Sequence, residues 1–213
     1  MYSRKKLIDF SILITLETFV LLIGTIEQTV LEQSTATLQT SNDNYENYEN
    51  PNLKIKLQYP SEWRIFESDA PALSNLKGIV SFEQLAQEKK QEQNIEEEVA
   101  VVSIIAEDIP SNNITLDQFT KIQYDNLLQL FSDFNFRLEN KTAVTIGGIP
   151  AEKFEYTIVN PYSDAIRNGM IIWTIRGDTV YMISYIGEQI QYLRYLSVVQ
   201  MLINSIEFIN GQH

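Results

Sequence analysis

Cysteine is absent from this chain of 213 residues, and histidine occurs once, as His213. The first absence removes disulfides, thiolate nucleophiles and zinc–thiolate centres together. The second leaves a Ser-His-Asp or Cys-His arrangement only an imidazole at the chain end, where fraying is expected. Walker-type glycine-rich loops, dinucleotide fingerprints and H-E-x-x-H strings are missing as well. Cationic residues are few: 16 Lys and Arg stand against 28 Asp and Glu, a formal charge of −12. Such a surface repels phosphate backbones, and no basic stripe interleaves with aromatics, so a nucleic-acid partner is not expected. A carboxylate pair of the kind glycosidases use is what remains for catalysis. With 28 acids a pair arises by chance, so the chain reads as a protein that is not an enzyme.

What is there begins with an apolar run from Leu7 to Ile26, preceded by Arg4, Lys5 and Lys6. As a helix its twenty residues span roughly 30 Å, one hydrocarbon core. Asp9 and Glu17 count against insertion, a carboxylate near the centre costing about 3 kcal/mol, while every Leu, Ile, Phe or Val returns about 0.3–0.6 kcal/mol, and the sum favours the membrane by a narrow margin. No basic residue follows until Lys54, so the positive-inside rule sets the remainder on the extracytoplasmic side. Residues 1–30 therefore read as a single-pass membrane anchor or as a cleaved signal peptide, which would leave the protein secreted, in preference to an amphipathic cytosolic helix. Residues 31–44, rich in Thr, Ser, Asn and Gln, read as a flexible linker.

The 44% hydrophobic content suffices for one core, placed at residues 45–209 with a tail at 210–213. Leu53, Ile55, Leu57 and Tyr59 alternate with Lys54, Lys56 and Gln58, the period of a half-buried strand. A short piece about Trp63 and Ile65 and another at 78–82 follow. Glu83 to Glu98 has almost no apolar face and reads as a long solvated loop or a frayed helix. Val99 to Ala106 suits a central strand. Thr115 and Gln118 have capping-box spacing, Ile114 and Phe119 that of a hydrophobic staple. They open a helix whose face Leu116, Phe119, Leu127 and Leu130 is interrupted by Gln123. Phe134 to Leu138 and Thr142 to Ile146 read as two strands. Gly147-Gly148 then turns the chain into Ala151 to Val159. Met170 to Ile175 and Thr179 to Ile186 form a hairpin about Gly177-Asp178, so Arg176-Gly177-Asp178 is a turn before it is an adhesion tripeptide. A last helix carries Tyr192, Tyr195, Leu196, Val199, Leu202, Ile203 and Ile206 on one arc. Gln191, Arg194, Ser197, Gln200 and Asn204 lie on the other. This order predicts an α+β fold, a single largely antiparallel sheet covered by amphipathic helices.

Two strings, YENPNLKIKLQYPSEW at 48–63 and GIPAEKFEY at 148–156, together with the order of elements, resemble the PsbP-like family. The resemblance covers most of residues 45–209 and leaves the N-terminal segment as an addition. It implies a PsbP-like layered sandwich and a non-catalytic role. Photosynthetic members are lumenal subunits that help a membrane complex retain calcium and chloride and have been linked to manganese; other relatives are assembly factors. Metal ligation there is associated with His and Asp, and His213 does not meet that pattern, so no metal ligand is carried over.

Two candidate sites follow from the residues themselves. Glu96, Glu97 and Glu98 cluster carboxylate oxygens of the kind calcium requires, although no D-x-D-x-D-G spacing is present. Trp63, Tyr156, Trp173, Tyr181 and Tyr185 are strand aromatics that fill a core or line a ligand or partner surface. Asn113 and Asn140 head N-x-T strings that match the glycosylation acceptor pattern. The expectation is an accessory module that binds or stabilises a partner, a membrane protein complex or other extracytoplasmic protein. The alternative is a small-molecule or divalent-cation carrier for calcium or manganese.

Overall fold

The computed structural model describes residues 45–69, 75–84, 100–109, 114–161 and 165–209. In chain order the elements are β1 (Tyr45–Asn50), β2 (Ile55–Pro60), β3 (Trp63–Asp69), β4 (Leu76–Gln84), β5 (Val101–Asp108), α1 (Leu116–Leu130), β6 (Asn135–Ile146), β7 (Ile149–Val159), β8 (Ile166–Arg176), β9 (Thr179–Glu188), α2 (Gln189–Asn204) and β10 (Glu207–Phe208). The strands form two sheets where one was expected: β1-β2-β10, and a larger one in the order β3-β4-β5-β9-β8-β7-β6. Every pairing is antiparallel.

Alternation along the strands gives the large sheet two working faces. On one face Val80, Ile104, Ile183 and Ile172 stand in register, as do Phe82, Val102, Tyr185 and Met170. These residues join Ile55, Leu57 and Tyr59 of β2 with Val199, Leu202 and Ile203 of α2 in the main core. On the opposite face Ile79, Ile105, Met182 and Trp173 are in register, and α1 packs over β7 and β8. Phe119 meets Trp173 edge-on, Trp173 lies against Phe154, and the Trp173 indole N–H donates to Thr120 Oγ1 at 2.8 Å.

Three local readings are corrected. Leu53 is buried, but the strand opens only at Ile55 because Lys54 takes a left-handed φ of 54° in the preceding turn. The polar segment YENYEN, too poor in apolar residues to show a period, pairs with β2 as β1. The two strands read at Phe134–Leu138 and Thr142–Ile146 are one twelve-residue strand. A register shift between Leu138 and Asn140 leaves Glu139 as the extra residue of a bulge, which reverses the side-chain parity. Phe136 thus stacks with Phe131 under α1, whereas Val144 and Ile146 serve the core under α2. Broken alternation looked like a break in the strand.

The helix signals at Thr115 were read correctly: its hydroxyl accepts the Gln118 N–H at 3.2 Å, and Gln118 Oε1 accepts the Thr115 N–H at 3.0 Å. The β6–β7 loop is two residues, both with the positive φ that glycine permits, 54° at Gly147 and 79° at Gly148. The expected anchor or signal at 1–30 and the linker at 31–44 lie outside the described residues. Among the described residues no helix is long and apolar enough to cross a membrane.

Candidate functional site

The apolar rows on the α2 side of the large sheet change character at β7. Ile172 is followed in register by Lys153 and Thr142, and Met170 by Glu155 and Asn140. Lys153 Nζ and Glu155 Oε1 are 2.9 Å apart, and Asn140 Nδ2 donates to Glu155 Oε2 at 3.2 Å. This is where helical cover ends: α2 lies over β8 and β9 and reaches β2. Between α2 and the β6–β7 hairpin opens a cleft of ≈180 Å³, lined by Val144, Thr145, Ile146, Lys153, Met170 and Ile172 of the sheet and by Gln200, Ile203 and Asn204 of α2. Its floor is apolar, its rim carries amides, and its lysine has a carboxylate partner. Pockets for cofactors and drug-sized ligands run to about 300–1,000 Å³. This cleft is the size of a single inserted side chain.

Beside it, the outer surface of α2 is mixed, with large apolar side chains exposed among Arg194, Ser197, Gln200 and Asn204. Ile190, Leu193 and Met201 are 73%, 63% and 41% exposed. Their spacing of three and then eight residues sets them along one side of the helix, which also carries the cleft residues Gln200 and Asn204. Sequence reading assigned that arc to Gln191, Arg194, Ser197, Gln200 and Asn204 and missed the three apolar residues among them. The available signal was the three residues themselves, large apolar side chains at positions among the polar ones of that arc.

The five aromatics are buried, with exposures between 0% and 4%. They do not share one surface, because strand parity divides them. Trp63, Tyr181 and Tyr185 belong to the main core, while Tyr156 and Trp173 face α1. Tyr185 stacks on Tyr192 at 4.8 Å and donates to the Tyr192 carbonyl at 3.1 Å. Tyr181 lies 4.7 Å from Phe208, and Trp63 meets Tyr195 edge-on. Burial pushes the Tyr192 phenol up to about 12, and raises those of Tyr156 and Tyr185 too. The Tyr156 ring covers Gly169, where an added Cβ would overlap it, and its hydroxyl is buried without a hydrogen-bond partner.

Glu96, Glu97 and Glu98 lie outside the described residues. Among the described residues no group of three or more His, Asp or Glu is placed to hold a metal ion. Of the acceptor strings, Asn113 is outside them and Asn140 is exposed on β6.

Comparison with known proteins agrees with this architecture. A family model described as PsbP-like protein matches residues 7–208. The match takes in the apolar run at 7–26, which the sequence reading had left outside the resemblance. The solution structure of cyanobacterial PsbP (CyanoP) from Synechocystis sp. PCC 6803 aligns with a TM-score of 0.57 at 16% identity, covering 82% of this chain and 98% of that one. The crystal structure of LpqN, involved in cell envelope biogenesis of Mycobacterium tuberculosis, aligns with a TM-score of 0.53 at 11% identity, covering 79% and 87%. At these identities the two structures share a fold with this chain. No curated protein matches it by sequence. With nearly its whole length matched by one family model, this chain belongs to the PsbP-like protein family.

Proposed function

We propose that the protein is a non-catalytic accessory module, held at the extracytoplasmic face of a membrane by residues 1–30, that binds or stabilises a membrane protein complex through the outer side of α2 and the adjoining cleft. The observation that carries this reading is the row Ile190, Leu193 and Met201, large apolar side chains left in water along one helix. Ile190 and Leu193, one helical turn apart, form an exposed apolar pair of the kind a partner covers on binding. The charge of −12 fits a partner with a basic or neutral contact surface. Membership of the PsbP-like family, whose photosynthetic subunits attach to membrane complexes, supports the same role.

The test is co-purification of the full-length protein from its own membranes after mild cross-linking. A membrane protein should be enriched in near-equal amount, and Leu193→Lys should abolish the enrichment while leaving the melting temperature in place. Recovery of the protein alone, with every cross-link inside the chain, would remove the reading.

A further inference from the structure

We infer that the outer edge of β6 is a docking strand, taking up an extended segment of the partner protein that adds to the sheet and places an apolar side chain in the neighbouring cleft. This rests on the accessory reading above and names the kind of partner segment it requires. β6 ends the seven-stranded sheet, and among the described residues no strand lies beyond it. An unpaired edge of twelve residues is a template for another strand unless something blocks it. The first half of β6 is blocked: Arg137, Glu139 and Lys141 bring charge, and the bulge at Glu139 interrupts pairing. The second half, Thr142-Ala143-Val144-Thr145-Ile146, has no charge, no proline and no bulge.

The hairpin shows which backbone groups face outward. With a two-residue loop, Ile146 and Ile149 form the closing pair that exchanges both hydrogen bonds, and alternate pairs Val144–Ala151 and Thr142–Lys153 do the same. Lys141, Ala143 and Thr145 therefore aim their N–H and C=O groups away from β7. Pro150, which has no N–H, stands opposite Thr145 at a position where β6 asks for none. Ala143 and Thr145 are exposed, so these groups are open to a partner.

The same half-strand lines the cleft through Val144, Thr145 and Ile146. An added strand would lay alternate side chains on the α2 side next to Val144 and Ile146, at the mouth of that cleft. Main-chain bonds then supply affinity and the cleft selects the side chain. At ≈180 Å³ with an apolar floor, it takes one large aliphatic or aromatic group. The charge of −12 selects against acidic residues in the docking segment and against a second copy of this chain at the same edge.

The probe is the peptide acetyl-Lys-Thr-Leu-Thr-Leu-Thr-Lys-amide, titrated into the full-length protein and followed by NMR and amide hydrogen exchange. Exchange should slow at Lys141, Ala143 and Thr145, and the Val144 and Ile146 methyl signals should shift. Ala143→Pro removes one outward N–H without touching the β7 ladder and should weaken binding at least tenfold. Gln200→Trp, at an exposed helix position that can fill the cleft, should weaken it similarly; both variants are checked for an unchanged melt. No protection at millimolar peptide, undiminished binding by Ala143→Pro, or concentration-dependent protection of the edge without peptide (a second copy) each overturns the inference. Failure here is separable from failure of the accessory role. If the membrane partner is captured equally well by Ala143→Pro, the edge is wrong and the role stands; if the peptide binds but no partner is captured, the reverse holds.

Discussion

α1 and α2 are nearly equal in length, 15 and 16 residues, and are held in place by different means. α1 is locally specified: a reciprocal capping box opens it, Asp117 lies in its first turn, and charged residues such as Lys121 and Asp125 face water. Its buried side carries a polar residue, Gln123, whose Oε1 lacks a hydrogen-bond partner. The N-cap of α2 is Glu188, whose side chain makes no capping bond. Its far end is tied to another element: Ser205 Oγ accepts the Gln58 N–H of β2 at 2.8 Å and donates to the Leu202 carbonyl at 2.7 Å. α2 is kept helical by what it packs against, and its outer side carries Ile190, Leu193 and Met201 among polar residues. α1 exposes one large apolar residue, Leu128 at 44%, whereas α2 exposes three, two of them above 60%. That difference is why the partner surface is assigned to α2.

The contrast can be tested from its core outward. Leu127 and Leu202 are the most buried leucines of the two helices. Leu→Ala at such positions costs about 2–5 kcal/mol. Leu202→Ala should fall at the upper end, because α2 joins the two sheets, and Leu127→Ala at the lower; equal losses in urea titrations would break the comparison. Removing the local cap of α1 by Thr115→Ala should cost about 1 kcal/mol in the same titrations. A negligible change would mean that α1 also depends chiefly on packing. At Glu188, substitution by Ser offers the free N–H groups of α2 an acceptor and should raise stability by roughly 0.5–1 kcal/mol. Absence of any rise in melting temperature would show that packing already satisfies that end. The smallest stability effect is expected on the outer stripe: Ile190→Gln and Leu193→Gln should stay within about 0.5 kcal/mol. Those two variants should nevertheless lower recovery of the cross-linked partner, and a large loss of stability instead would make the stripe part of the fold.

Local chemistry was legible where a few neighbouring residues decide the outcome. The cap at Thr115, the glycine pair at 147–148 and the Gly177-Asp178 turn were read correctly because their conformations depend on the side chains involved. β1 was missed because its strand character comes from pairing with β2 and not from its own composition. The bulge at Glu139 was read as a break because one extra residue inverts the alternation that signals a strand. Of the site, the aromatics Trp63, Tyr156, Trp173, Tyr181 and Tyr185 could be listed from sequence, but not sorted. Parity within a strand is visible; which face meets which helix is not. The cleft draws on β6, β7, β8 and α2, residues up to sixty positions apart, and no sequence period reports on such a meeting.

By itself the sequence determined the class of this protein: an acidic, cysteine-free antiparallel α+β domain of PsbP-like pattern. Hydrophobic period, caps and turn glycines are short-range properties written in adjacent residues. Tertiary structure alone decided the division into two sheets, the edge position of β6 among the described residues and which residues of α2 stay exposed. Those depend on which surfaces remain after every strand and helix has buried its apolar face against another, a quantity that exists only once the chain has closed on itself.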